Sequence, residues 1–201
     1  MSELEGDFDS FAVDPKHYAP LRCFCCGKHG SRSEQEVNRL VREYSSGRHK
    51  GSVFRVTVDG RKRIVGVAAF LAAAPSQPML GQFTGSPYIS VIGLSERYRG
   101  RGKGGLRLGD LVLLDALRAI TKSWGGAPHT FALVDPNNRA SRNLFERNGF
   151  RMIIRANRNS HEADSLFRRI GVQSPVGSLG GVSMPLVTPS ETGTNAGARA
   201  Q

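Results

Sequence analysis

YISVIGLSERYRGRGKGG, residues 88–105, runs from a β-branched, apolar stretch straight into a turn that alternates glycine with arginine and lysine. Tyr88 to Leu94 has the composition of a strand. Beyond the turn, Leu106, Leu108, Leu111 to Leu114, Leu117 and Ile120 fill most faces of one helix, as expected of a helix buried against a sheet, and Gly125 and Gly126 end it. A glycine loop between a strand and a helix can aim successive backbone N–H groups, with the helix dipole behind them, at one anion. Glycine is needed because side chains would hold the anion off and because some positions require positive φ. Arg97, Arg99, Arg101, Lys103 and Arg107 add cations at the same mouth. Opposite unit charges 4 Å apart gain about 1 kcal/mol in water and about 4 kcal/mol near a protein surface, so several such contacts can hold a diphosphate. The spacing is not that of a Walker loop, and no acidic residue follows as at a dinucleotide site. A basic turn that touches RNA remains the alternative reading of the loop alone.

The flanking sequence alternates strands and helices. Ser33 and Glu36 read as a capping box for a helix carrying Val37, Leu40, Val41 and Tyr44. Val53 to Val58 and Ile64 to Leu71 are apolar runs joined through Asp59-Gly60, a hairpin signal. Thr130 to Val134 is a further strand. Asp135-Pro136-Asn137 opens a short helix with capping side chains and a first-turn proline, Gly149 closes it, and Phe150 to Arg155 and Leu166 to Ile170 complete the sheet. The class is α/β (α+β): one domain with a mixed central sheet flanked by helices and Tyr88 to Leu94 near its centre.

Three parts are expected along the 201 residues: a loose acidic arm over 1–14, the folded domain over 15–170, and a disordered tail over 171–201, rich in Gly, Ser, Thr, Pro and Ala. No run of about 18 apolar residues exists and the N-terminus is not signal-like, so a cytoplasmic, membrane-free protein is expected. The formal charge of +11 biases encounter toward nucleotides, CoA or RNA. It leaves RNA open as a partner, and a dimer open as the assembly. Cys23, Cys26 and His29 have ligand-like spacing, but no second pair completes a structural zinc site, so no metal is expected and the thiols are read as free.

The loop resembles the cofactor motif of the GNAT superfamily of N-acetyltransferases, an Arg or Gln, two residues, Gly, one residue, then Gly or Ala. Arg99-Gly100-Arg101-Gly102-Lys103-Gly104 fits it, as does the register from Arg97 to Gly102. Asn138 to Phe150, NRASRNLFERNGF, resembles the family's second element at Asn138, Ser141, Leu144, Gly149 and Phe150, with Phe145 where a Tyr is usual. Phe24 to Gly27 faintly resembles the opening of the toxin branch that acetylates aminoacyl-tRNA.

The resemblance implies a splayed sheet with acetyl-CoA in the gap between the strands Tyr88–Leu94 and Thr130–Val134. The diphosphate would lie on Arg99, Gly100, Arg101, Gly102, Lys103, Gly104 and Gly105. Backbone groups at Ile92, Gly93 and Leu94 would hold the pantetheine, and Asn138 would reach the cofactor from the other side. The reaction implied is acetyl transfer to an amine, with an aminoacyl-tRNA or a protein amine favoured by the charge. A catalytically idle CoA- or RNA-binding module is the competing reading, since Phe145 has no proton to give. Tyr98, Ser141 or water then protonates the thiolate, or it leaves unaided, as a pKa of about 8.5 allows. Glu96 is the first candidate for general base. An acceptor site for aminoglycosides or polyamines would be lined with carboxylates, and residues 71–85, LAAAPSQPMLGQFTG, contain none.

Overall fold

The computed structural model describes residues 8–27, 31–48, 51–77, 79–103, 105–126, 129–155 and 164–170. Within them lie strands β1 (Asp9–Val13), β2 (Val53–Val58), β3 (Ile64–Ala72), β4 (Pro87–Leu94), β5 (Gly102–Lys103), β6 (Leu106–Arg107), β7 (His129–Val134), β8 (Phe150–Ile154) and β9 (Ser165–Ile170). The helices are α1 (Arg32–Ser45), α2 (Leu108–Ser123) and α3 (Arg139–Arg147). Seven strands form one sheet in the order β1-β2-β3-β4-β7-β9-β8, so β4 is central. Every pairing in that sheet is antiparallel except β4 with β7.

β3 is buried on both faces, which explains its unbroken apolar run. Val65 and Phe70 meet α2, while Val67 and Ala69 pack with Val41 and Tyr44 of α1. Arg55 of β2 clamps α2 to the sheet, with Nε 2.5 Å and Nη2 2.9 Å from the two oxygens of Asp115. The β2–β3 turn forms as expected around Asp59, whose Oδ1 accepts the N–H groups of Arg61 and Arg63 at 3.0 and 2.9 Å.

Four local expectations need correction. Asp9–Val13, expected within a loose arm, pairs along its whole length with β2. Its alternation is weak because an edge strand buries little. The cap of α1 is Ser31 with Glu34, whose Oε2 accepts the Ser31 N–H at 2.6 Å, and not Ser33 with Glu36. Leu106 lies in β6, where the loop doubles back before α2 begins at Leu108. Asn138 caps α3, its Oδ1 accepting the Ser141 N–H at 3.0 Å, so Pro136 precedes the helix. The expected tail over 171–201 lies outside the described residues.

Candidate active site

β4 and β7 are in register only at Tyr88–Phe131 and Ile89–Ala132. Beyond Ile89 they part, and β4 continues to Leu94 paired with β3 alone. A bulge helps: Ala69 faces Val91 and Phe70 faces Ile89, so Ser90 is left over and its hydroxyl bonds Tyr44 Oη at 2.7 Å. The splay opens a cleft through the sheet edge. One half, about 470 Å³, lies toward the glycine loop; the other, about 310 Å³, lies toward α1 and the ends of β7 and β9. Ser33, Val37, Ile92, Asn138 and Ser141 line both halves.

In the loop half, Ile92, Gly93, Leu94, Arg99, Gly100, Arg101 and Arg107 all border the cavity. Leu94 gives its N–H to the buried Cys26 thiol, whose pKa burial pushes up. By the two-residue period of a strand, Ile92 turns its own backbone groups to the same open side. Gly93 serves packing: a Cβ there would come 2.5 Å from Val37 Cγ1 of α1. Gly100 and Gly105 have φ of +72° and +79°. Gly102 admits no side chain, because a Cβ would stand 1.9 Å from the Leu106 carbonyl oxygen. Lys103 lies beside it in β5, and Gly104 lies outside the described residues.

The arginines divide their tasks. Arg99 is held by Glu34 at the start of α1 and by the Cys26 carbonyl, so it ties the loop to the cleft wall. Arg101 stacks on Tyr98, with its guanidinium carbon 5.2 Å from the ring centre. Asp110 in the first turn of α2 accepts the Arg107 N–H at 3.3 Å, Arg147 Nη2 at 3.0 Å and Asn148 Nδ2 at 2.8 Å, which fixes α3 against the loop.

The second half carries the acids that residues 71–85 lack. Glu36, Asp135 and Asp164 line it, together with Tyr88 and the edge of Phe145. They come from α1, the end of β7 and the start of β9. The last register pair of those strands is Val134 with Ser165, which leaves Asp135 and Asp164 next to each other across the strand ends. Asp135 Oδ2 accepts the Ser33 hydroxyl at 3.4 Å and its Oδ1 the Asn137 N–H at 2.8 Å. Burial first, and the Asp135 charge second, push the Asp164 carboxyl above its ordinary pKa. Burial likewise pushes the Tyr88 phenol well up, with the Asp164 charge adding to it.

Two proposed catalytic groups do not reach the cleft. Tyr98 is buried on the far side of the loop, donating to Asp59 Oδ2 at 2.5 Å, with Arg63 and Arg101 against its ring. Burial and then the Asp59 carboxylate raise its pKa, so it keeps its proton. Burial alone would raise Asp59 too, but the bonds from Tyr98, Arg63 and the Arg61 and Arg63 amides hold its carboxyl well below the usual range. Glu96 is exposed in the turn after β4 and borders neither half. Phe145 packs edge-on to Phe150 at 4.9 Å between ring centres. Of the suspected metal ligands, His29 lies outside the described residues. Among the described residues no three His, Cys, Asp or Glu side chains stand close enough to share a metal ion, and no helix is long and apolar enough to cross a membrane.

The profile of the Acetyltransferase (GNAT) family matches residues 21–150. No curated protein matches the chain significantly. Among solved structures, the PaiA N-acetyltransferase of Thermoplasma acidophilum in complex with coenzyme A superposes with a TM-score of 0.53 and 12% identity, covering 82% of this chain and 99% of that one. A GNAT acetyltransferase from Streptococcus pneumoniae gives 0.55 and 16%, with 82% and 99% covered. A structure described as a bacterial toxin gives 0.56 and 19%, with 84% and 92% covered. At these identities the likeness is one of fold, and the family rests on the profile, which spans both the glycine loop and Asn138 to Phe150. The chain belongs to the GNAT family of acetyltransferases.

Proposed function

We propose that the protein transfers an acetyl group from acetyl-CoA to an amine. The observation that carries this is the parting of β4 from β7 after Ile89, which leaves a free strand edge between a glycine loop and an acid-lined pocket. The residues present fit the cofactor. Gly100, Gly102 and Gly105 with the start of α2 offer amides for a diphosphate, Arg101 and Arg107 offer cations, and Ile92 offers strand-edge groups for the pantetheine amides. Asn138 sits across the cleft from them. Acetyl-CoA supplies the activated acyl carbon.

Proton movement falls to residues of the second half. The amine must be neutral to attack; as the C–N bond forms and the C–S bond breaks, its proton passes to the Asp135–Asp164 pair. A carboxylate with a raised pKa is the better acceptor of that proton. Ser141 borders both halves and carries a hydroxyl that can donate a hydrogen bond to the departing thiolate where Phe145 cannot, the thiolate then taking its proton from solvent. Phe145 favours the idle-module reading, whereas Asp135 and Asp164, just beyond the end of β7 and before the start of β9, supply candidates for the base that β4 lacks.

Calorimetric titration with acetyl-CoA, on the native chain and Gly102→Glu, tests the reading. Micromolar binding that the variant loses, with CoA thiol released when amines are added, supports transfer. Binding without release on any amine leaves the idle module, and no binding by the native chain refutes cofactor use.

A further inference from the structure

We infer that the acceptor is a small amine bearing a second positive charge, held by Glu36, Asp135 and Asp164 in the pocket beside Tyr88. The inference rests on the acetyl-transfer reading of the same cleft.

The pocket's charge runs against that of the molecule. The chain carries +11 in total, yet three carboxylates from distant parts of the sequence border a cavity of about 310 Å³. The cations at its wall do not cancel them. Arg39, outside the lining, bonds both oxygens of Glu36 but is shared with Glu43, and among the described residues Arg32 is the one basic residue lining the cavity. Two carboxylates side by side at strand ends repel each other, and a bound cation relieves that repulsion.

A single ammonium does not use this charge. The nitrogen that attacks must be neutral, so it consumes one carboxylate as proton acceptor and leaves negative charge over. Glu36 stands on α1 while Asp135 and Asp164 stand at the strand ends, which suits separate cationic centres along an extended organic molecule. Tyr88 adds a second sign of an awaited ligand. Its phenol is half-buried at the pocket wall and makes no hydrogen bond among the described residues, so its oxygen is open to a ligand N–H. The volume is at the small end for ligand sites. An RNA end would bring phosphates against these carboxylates, which disfavours the acceptor expected from total charge.

The test measures initial rates of CoA thiol release from acetyl-CoA with butane-1,4-diamine and with butylamine, on the full chain. One extra charge-assisted contact is worth roughly 10- to 100-fold, so kcat/KM for the diamine should exceed that for butylamine by that factor. Glu36→Gln should narrow the ratio by raising KM for the diamine more than for butylamine. Acetyl-CoA titration of the variant reports that it is folded, and Asp164→Asn, read by the same ratio, provides a second variant. Equal rates for the two amines, or turnover of an aminoacyl-RNA or a lysine peptide with both amines inert, overturn the inference while acetyl-CoA still binds. If the native chain binds no acetyl-CoA, the acetyl-transfer reading falls, and the inference with it.

Discussion

Replacing Tyr98 with Phe removes one oxygen and separates two roles for this residue. The phenol donates to Asp59 Oδ2 at 2.5 Å, and Asp59 is 7% exposed, so the bond lost is one to a buried charge. Such bonds contribute about 1.5–3 kcal/mol. Asp59 keeps the Arg61 and Arg63 amides and the Arg63 side chain, with Nε at 2.9 Å and Nη2 at 2.7 Å. The carboxylate is therefore not orphaned, and the loss belongs at the low end, about 1.5–2 kcal/mol. For a chain of this size each kcal/mol shifts the thermal midpoint by about 2–4 °C, which gives a fall of about 3–8 °C. Circular dichroism on heating reads the midpoint, and a double-mutant cycle with Asp59→Asn assigns the loss to this pair. The turnover number, measured well below the midpoint, should stay unchanged because Tyr98 faces away from the cleft. A large fall in turnover with a stability change under about 0.5 kcal/mol would refute the argument and return Tyr98 to the chemistry.

Two further outcomes follow from the same geometry. Asp59 has a folded pKa below its unfolded value of about 3.9, so its contribution is complete above that value and is lost as pH falls toward the folded one. The midpoint difference between the native chain and Asp59→Asn should thus be constant from about pH 8 to about pH 5 and shrink below about pH 4; a difference that persists into strong acid would contradict it. Ser141→Ala should lower kcat by about tenfold or more while leaving acetyl-CoA affinity nearly unchanged, since the α3 cap uses the Ser141 amide and not its hydroxyl. A variant with native kcat would mean that the thiolate leaves unaided.

The loop half of the site was legible because its signals are local. β4 announces itself by composition, the glycines by the close approach of β5 to β6, and the helix that follows by apolar residues on most of its faces. Even there, side-chain partners were not readable. Arg99 looked like a phosphate ligand because nothing in its neighbourhood of sequence says that Glu34 and the Cys26 carbonyl lie beside it. The start of α1 offered two capping registers, since residues 31–36 read SRSEQE and Ser31-Glu34 and Ser33-Glu36 have the same spacing. The helix takes the first, which places Ser33 and Glu36 inside it, on the wall of the cleft.

The acids of the second half of the cleft were not legible in the sequence for a related reason. They are 99 and 29 residues apart in the chain, from Glu36 to Asp135 and from Asp135 to Asp164, and only α1 packing and the β7–β9 register bring them together. The net charge pointed the other way because it sums over the whole surface. A total of +11 governs encounter from beyond a Debye length of about 8–10 Å, where an anionic cofactor is drawn in. Within the pocket the nearest charges dominate, and these are acidic. The two scales need not agree, and on the proposed function there is reason for them to differ: a polyanionic cofactor would meet the arginines of the loop, while an amine would meet the carboxylates of the other half of the cleft. Glu36→Lys, which brings the charge of the lining Arg32, Glu36, Asp135 and Asp164 from −2 to 0, should therefore leave acetyl-CoA affinity unchanged by calorimetry while raising KM for a cationic amine, and an unchanged KM would count against the acidic pocket as the amine's site.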